Sequence, residues 1–417
     1  MQSLVIEGGQ RLSGEIEIQG AKNSALPLLA ATILSQGETV LTNCPRLTDI
    51  YAACRILSYL GCKCKVAGNS VFVNTSSLTN FEVPDDLMRE MRSSIIFLGA
   101  IIGRLGECRL SFPGGCELGP RPIDMHLAAL RKMGVTIKEE YGVLDCKVEK
   151  ELHGAKISLP FPSVGATENV MLAAVLAKGE TEIRNAAREP EIVDLAGYLN
   201  RCGAKIYGAG EGTITIQGVE MLSGCNYSVM PDRIVAATYL CAAAITGGEL
   251  NLSKVCCEHI DAILPALEEM GCSLYSYGDN IYINAKKNLK PVKMIRTMPF
   301  PAFPTDAQAI LMATLCRAKG TSVFVETIFE NRYKHVSELI KMGADIKVEG
   351  KVSIVEGVDR LYGTTVQATD LRGGAALVLA GLSAEGITTV TNIRHIDRGY
   401  EEIENALSSV GGRISRA

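Results

Sequence analysis

The 417-residue sequence predicts an α+β chain of six repeated βαβαββ-type units, three in each of two domains. Three observations carry this prediction. A unit recurs at intervals of about 65 to 75 residues, two kinds of helix alternate within it, and a glycine follows each helix.

The first copy reads GAKNSALPLLAATILSQGETVLTNCPRLTDIYAACRILSYLGCKCKV. The third begins GATENVMLAAVLAKGETEIRNAAREPEIVDLAGYLNRCGAKIYG, and the fifth begins PTDAQAILMATLCRAKG. The second, fourth and sixth start near Met91, Asp232 and Thr369. The opening helix of each copy is apolar nearly all round, which predicts burial on every side; the later one is amphipathic. QGET, KGET, GGEL, KGTS and EGIT follow the first helices, where glycine suits a left-handed cap. LGCK, MGVT, CGAK, MGCS, MGAD and VGGR close the second helices of all six copies. The sixth copy ends at GGRISRA, so the N-terminal strands SLVIEG and GEIEI are expected to complete it. This divides the chain into a discontinuous domain, 1–21 with 231–417, and a second domain, 22–230, carrying the first three copies. One continuous solenoid is the alternative; it has no need of unlike terminal strands.

Bulk properties narrow the function. Net charge is −4 and aromatic content 5%, which gives no reason to expect nucleic acid or an anionic membrane as partner. The N-terminus lacks a basic start followed by an apolar run, and no apolar stretch approaches a membrane span. The 14 cysteines mostly sit in apolar surroundings without tandem CxxC pairs, so a reduced, cytoplasmic setting is expected.

Charged residues, most of them basic, gather at the starts of helices. Lys22 with Asn23, Arg92, Arg233, Asp306, and Asp370 with Arg372 open the first helices; Arg46, Arg121, Arg188, Arg332 and Arg398 lie in the turns into the second. Helix N-termini offer unpaired N–H groups to anions, so two domains facing through these ends would hold a polyanion in a closing cleft. The second copy breaks the pattern with SFPGGCELGPRPIDMHL, a longer Gly- and Pro-rich link. Cys116 at its tip, with Arg121 nearby, is a candidate acid or nucleophile.

Taken together, GAKNSALPLLAA, PGGCELGPRPIDMHL, SVGATEN, REPEIVDL, FPTDAQA, FENR, ATDLRGG and HIDRGYE closely resemble the UDP-N-acetylglucosamine 1-carboxyvinyltransferases. This family lies within the enolpyruvyl transferases of EPSP synthase type, and the resemblance spans essentially the whole chain. It implies a two-domain inside-out α/β barrel with its active site in the interdomain cleft. It also implies addition and elimination between phosphoenolpyruvate and UDP-N-acetylglucosamine at the head of peptidoglycan synthesis, with no metal or organic cofactor.

The resemblance further assigns roles. Lys22, Arg121 and Arg398 match phosphoenolpyruvate contacts, with Arg372 beside them. Arg92 and Asn23 match positions near the nucleotide sugar, and Asp306 matches the base for the sugar hydroxyl, with an N-cap as its other reading. Arg121, Pro122, Ile123, Asp124 and Met125, and Ser163, Val164 and Gly165, match uridine and diphosphate contacts. Ile328, Arg332 and Asp370 complete the implied substrate-binding set. Cys116 matches the loop cysteine linked to proton delivery, to a covalent adduct and to alkylation by the epoxide fosfomycin. Phe161 and Pro162 stand where the family often has a lysine, so one pyrophosphate contact is missing or supplied elsewhere. Two alternatives are the sister transferase acting on shikimate 3-phosphate, whose Gly-Asn-Ala-Gly-Thr signature is not found here, and a non-catalytic nucleotide-sugar binder, which would have lost Cys116, Asp306, Lys22 or Arg398.

Overall fold

The computed structural model of the chain describes residues 2–91, 93–112, 123–286 and 288–417. Arg92, Cys116, Arg121 and Pro122 therefore lie outside the described residues. The chain forms two compact units, one built from Met1–Gln19 with Pro231–Ala417 and the other lying within Gly20–Met230.

Each unit wraps its sheets around three buried helices. In chain order these six helices are α1 (Lys22–Ala31), α2 (Phe97–Leu105), α3 (Val164–Ala174), α4 (Arg233–Thr246), α5 (Thr305–Leu315) and α6 (Leu371–Ser383). Their all-round apolarity has the expected result. Every residue of α1 from Ser24 to Ala31 is buried, and so is every residue of α5 from Ala307 to Leu315. The amphipathic helices, such as Pro190–Arg201, bury one face and expose the other. All the closing glycines take left-handed φ, from Gly37 at 93° to Gly411 at 93°.

Among the described residues each unit contains three four-stranded sheets. In four of these sheets the short strand before a buried helix pairs in parallel with the strand after it, as Met294–Arg296 does with Thr321–Val325 across α5. The remaining two exchange strands. Asn226–Ser228, which leads into α4, pairs in parallel with Glu38–Thr42 after α1. Ser13–Glu17, which leads toward α1, pairs in parallel with Glu249–Ser253 after α4. This corrects the expectation for the N-terminus. Leu4–Glu7 does enter the sixth copy, antiparallel between Ile387–Thr391 and Arg413–Arg416. GEIEI instead completes the fourth copy, because that copy's own leading strand has gone to the first.

Close helix packing in the second unit depends on two glycines four residues apart. A Cβ on Gly99 would sit 2.2 Å from the carbonyl oxygen of Asn169, and one on Gly103 would sit 2.9 Å from that of Leu172. Neither contact is possible for a side chain, so α2 and α3 approach backbone to backbone.

Candidate active site

The first unit concentrates charge at the starts of α5 and α6. Pro304 is the N-cap residue of α5, without a side-chain cap bond. The carboxylate of Asp306 turns to two arginines instead: Arg332 Nη2 donates to Oδ1 at 3.0 Å, and Arg372 Nη2 and Nε donate to Oδ2 at 3.2 and 3.3 Å. The N-cap reading of Asp306 is thus corrected: Pro304 holds the cap position, and Asp306 is the second residue of the helix. The side chains of both arginines are 2% exposed, against 29% for Asp306, so the carboxylate is the accessible member of the trio. Arg332 also donates to the carbonyl of Thr305 at 2.9 Å. The Arg372 guanidinium lies 5.4 Å over the Tyr400 ring, a cation–π stack that fixes its plane.

Asp370 is the cap of α6, its Oδ1 accepting from the amides of Arg372 and Gly373 at 3.1 and 3.0 Å. Burial alone would raise its pKa; the Arg332 guanidinium and these amides hold it below the usual carboxylate range. His335 is fully buried beside this group. Burial pushes its pKa down to about 4, with Arg332 acting in the same direction, Asp370 against it, so the imidazole is neutral. Arg398 ends the short helix Ile393–Arg398, and the tight approach of Gly399 to Leu371 sets it beside the first turn of α6.

Sequence reasoning missed Glu326. Its carboxylate accepts from Thr305 Oγ1 at 3.0 Å and from the amides of Ile328 and Phe329 at 2.8 and 3.0 Å. It ties Ile328 to the start of α5. The signal was present, because alternation along TSVFVE places Ser322, Phe324 and Glu326 on the buried side.

In the second unit, Lys22 opens α1, its side chain 11% exposed, and its Nζ lies 3.5 Å from Asp49 Oδ2. Asn23 follows it on the same turn, half-buried. Ser163 is the N-cap residue of α3, its Oγ accepting from the amide of Ala166 at 3.3 Å. Val164 and Gly165 are the first helical residues. Asn169 Nδ2 donates to His126 Nδ1 at 2.9 Å, which leaves the His126 proton on Nε2, and Asn169 Oδ1 accepts from the amide of Gly99 at 2.7 Å. Burial pushes the His126 pKa down to about 4 against the pull of Asp124. Asn169 was legible as a polar residue inside a helix read as buried all round; its partners were not.

Ile123, Asp124 and Met125 line a groove of about 450 Å³ with further residues of helix Asp124–Lys132, with Glu139 and with the segment Ile157–Pro160. Ser163, Val164 and Gly165 are not among its lining residues. The volume suits a ligand the size of a nucleoside.

The 13 described cysteines are free, and burial pushes the thiols of Cys44, Cys62, Cys146, Cys202, Cys241 and Cys316 up to about 12. These are unreactive packing groups. Cys64 differs, because a hydrogen bond from the Cys54 thiol holds its pKa below the ordinary value. No helix among the described residues is long and apolar enough to cross a membrane.

Comparison with known proteins agrees over the full length. Residues 6–407 match the family described as EPSP synthase (3-phosphoshikimate 1-carboxyvinyltransferase). The chain is 53% identical over 416 residues to UDP-N-acetylglucosamine 1-carboxyvinyltransferase 2 of Caldanaerobacter subterraneus subsp. tengcongensis, covering 100% of both chains. It is 50% identical to the UDP-N-acetylglucosamine 1-carboxyvinyltransferase of Nitratidesulfovibrio vulgaris, covering 100% of this chain and 99% of that one. Among solved structures, the enolpyruvyl transferase NikO of Streptomyces tendae superposes with a TM-score of 0.89 at 26% identity, covering 100% of this chain and 99% of NikO. An EPSP synthase of Acinetobacter baumannii, 20% identical, shares the fold with a TM-score of 0.79 over 100% of each chain. With the fold, the family match and the full-length relatives in agreement, the chain belongs to the EPSP synthase family of enolpyruvyl transferases.

Proposed function

We propose that this chain transfers the enolpyruvyl group of phosphoenolpyruvate to the 3′-hydroxyl of UDP-N-acetylglucosamine, the committing step of peptidoglycan synthesis. The observation that carries this is full-length identity of 53% to a transferase named for that acceptor. In the reaction the sugar oxygen bonds to C2 while the methylene carbon takes a proton. C2 then loses phosphate and the methyl group returns a proton, so the enol ether re-forms without net redox change. No metal or organic cofactor enters this scheme, and a cytoplasmic setting suits both substrates.

Phosphoenolpyruvate carries a phosphate and a carboxylate, so it calls for several fixed cations. Lys22, Arg121 and Arg398 fill that need, the arginines by bidentate geometry and the lysine as a compact charge; Arg372, whose fork is taken by Asp306, adds its positive charge beside them. Asp306 is the base for the hydroxyl: among its trio it is the exposed group, and its two buried arginines hold the carboxylate in one orientation. Arg92, Asn23, Ile328, Arg332 and Asp370 support the sugar and the residues that hold it. The groove beside Ile123, Asp124 and Met125 suits the uridine, and Pro122 precedes these residues in the chain. The N-terminus of α3 at Ser163, Val164 and Gly165 suits the diphosphate. Cys116 is the loop thiol that serves as acid, as adduct-former or in product release, and it is the thiol that fosfomycin alkylates.

Phosphate release tests this reading. Phosphoenolpyruvate with UDP-N-acetylglucosamine is expected to liberate phosphate continuously, and phosphoenolpyruvate alone is not. Tight binding of the nucleotide sugar without phosphate release would identify a non-catalytic binder instead.

A further inference from the structure

The side chain of Asp194, on helix Pro190–Arg201, makes no contribution to the roles proposed above, yet its carboxylate accepts three hydrogen bonds beside α1. Ser24 Oγ donates to its Oδ2, Tyr227 OH donates to its Oδ1 at 2.8 Å, and the amide of Met230 donates to Oδ2 at 3.3 Å. The site is built for this contact. Gly197, one turn along the same helix, leaves the space that Tyr227 needs: a Cβ there would stand 2.8 Å from the tyrosine oxygen. Ser24 is fully buried and lies two residues from Lys22 on the first turn of α1. Met230 is bound to that turn from its other side, its carbonyl accepting from the amide of Ala21 at 2.7 Å. One carboxylate thus gathers helix, strand and chain crossing around the start of α1.

We propose that Asp194 is a positioning residue for phosphoenolpyruvate, holding the first turn of α1 so that Lys22 presents its ammonium in a fixed place. The inference rests on the reading of Lys22 as a phosphoenolpyruvate contact. The carboxylate does not touch substrate; it acts through Ser24 and the Met230 main chain. A charged acceptor orders a hydroxyl and an amide more strongly than a neutral one, and a small misplacement of a substrate-binding cation is felt in affinity. Burial raises the Asp194 pKa above the ordinary carboxylate value; Ser24, Tyr227 and the Met230 amide, which face it, pull it back down, and Glu191 on its own helix pushes it further up.

Steady-state kinetics of the full chain test this with Asp194→Asn, Ser24→Ala, the double variant and Lys22→Ala. In Asp194→Asn the KM for phosphoenolpyruvate is expected to rise about tenfold, with kcat and the KM for UDP-N-acetylglucosamine changed about twofold or less. Ser24→Ala is expected to raise the same KM by a smaller factor, and the double variant to be no worse than Asp194→Asn, since both break one linkage. A purely structural role moves folded fraction and kcat together and leaves both KM values alone; that result overturns the proposal. Should Asp194→Asn fail to fold, Ser24→Ala decides, and an unchanged KM for phosphoenolpyruvate there overturns it equally. Lys22→Ala separates the two layers. An unchanged KM in that variant removes the reading of Lys22, whereas a raised KM there beside a normal Asp194→Asn removes only the inference.

Discussion

Arg372 is joined twice to one oxygen of Asp306: Nε at 3.3 Å and Nη2 at 3.2 Å both donate to Oδ2, from a side chain that is 2% exposed. Arg332 takes the other oxygen at 3.0 Å. The consequence is a carboxylate whose orientation is set by the protein before any substrate arrives. Arg372→Lys keeps the charge and loses the fork, so kcat/KM is expected to fall about tenfold or more. Asp306→Asn keeps the shape and loses the base, with an expected loss of about 10² to 10⁴ in kcat. Stopped or steady-state phosphate release measures both, and an Asp306→Asn variant with normal kcat would contradict the role assigned to this carboxylate.

Thiol chemistry is expected to be confined. Buried cysteines with pKa values pushed up to about 12 hold almost no thiolate at neutral pH. Incubation with fosfomycin is therefore expected to add one equivalent to the intact mass, and Cys116→Ser to abolish the addition. Cys64, held low by its bond from Cys54, is the internal control. Residual labelling in Cys116→Ser mapped to Cys64 would show that the low thiol pKa, not the loop, selects the site.

Two buried imidazoles set the acid limit of stability. His126 and His335 both fall from 6.5 to about 4 on folding, because burial disfavours their charged forms. Their folded pKa values lie below the unfolded one, so their contribution is complete above pH 6.5 and is lost as pH falls toward 4. Each accounts for up to about 3 kcal/mol over that window. Thermal melts between pH 7 and pH 4 are expected to show a steep loss that His335→Gln and His126→Asn each flatten. A melt curve of the variants parallel to that of the wild type would contradict this origin.

The approach of α2 to α3 gives the fold's most local test. A methyl group on Gly99 meets the Asn169 carbonyl, which cannot move without shifting the bonds Asn169 makes to His126 and to the Gly99 amide. Gly99→Ala is expected to destabilise by about 2 kcal/mol or more, as an overpacked core does. Chemical denaturation measures it, and a neutral Gly99→Ala would show that the two helices separate freely.

The repeat, the two helix types and the glycine caps were legible because each rests on local periodicity and backbone conformation, which the chain carries residue by residue. The exchange of Ser13–Glu17 and Asn226–Ser228 between copies was not, since a strand of alternating residues fits either sheet and only the whole topology chooses. Among the site residues, Asp306 and Arg372 were found by their place at helix starts, but their mutual bond joins positions 66 apart and has no sequence signature. His335 was invisible for a related reason: nothing in KHVSEL tells a buried imidazole from a surface one. Asp194 sat in the motif REPEIVDL as one more acid on an amphipathic helix, and only Gly197 and Tyr227 mark it as enclosed.

The identity of the acceptor is the center of the account, and a competition read by mass spectrometry tests it most directly. Phosphoenolpyruvate is supplied with UDP-N-acetylglucosamine and shikimate 3-phosphate together, and both acceptors are followed alongside phosphate. The expected result is one enolpyruvyl group gained by UDP-N-acetylglucosamine for each phosphate released, with shikimate 3-phosphate unchanged. Enolpyruvyl transfer to shikimate 3-phosphate, or phosphate released with neither acceptor altered, would contradict it.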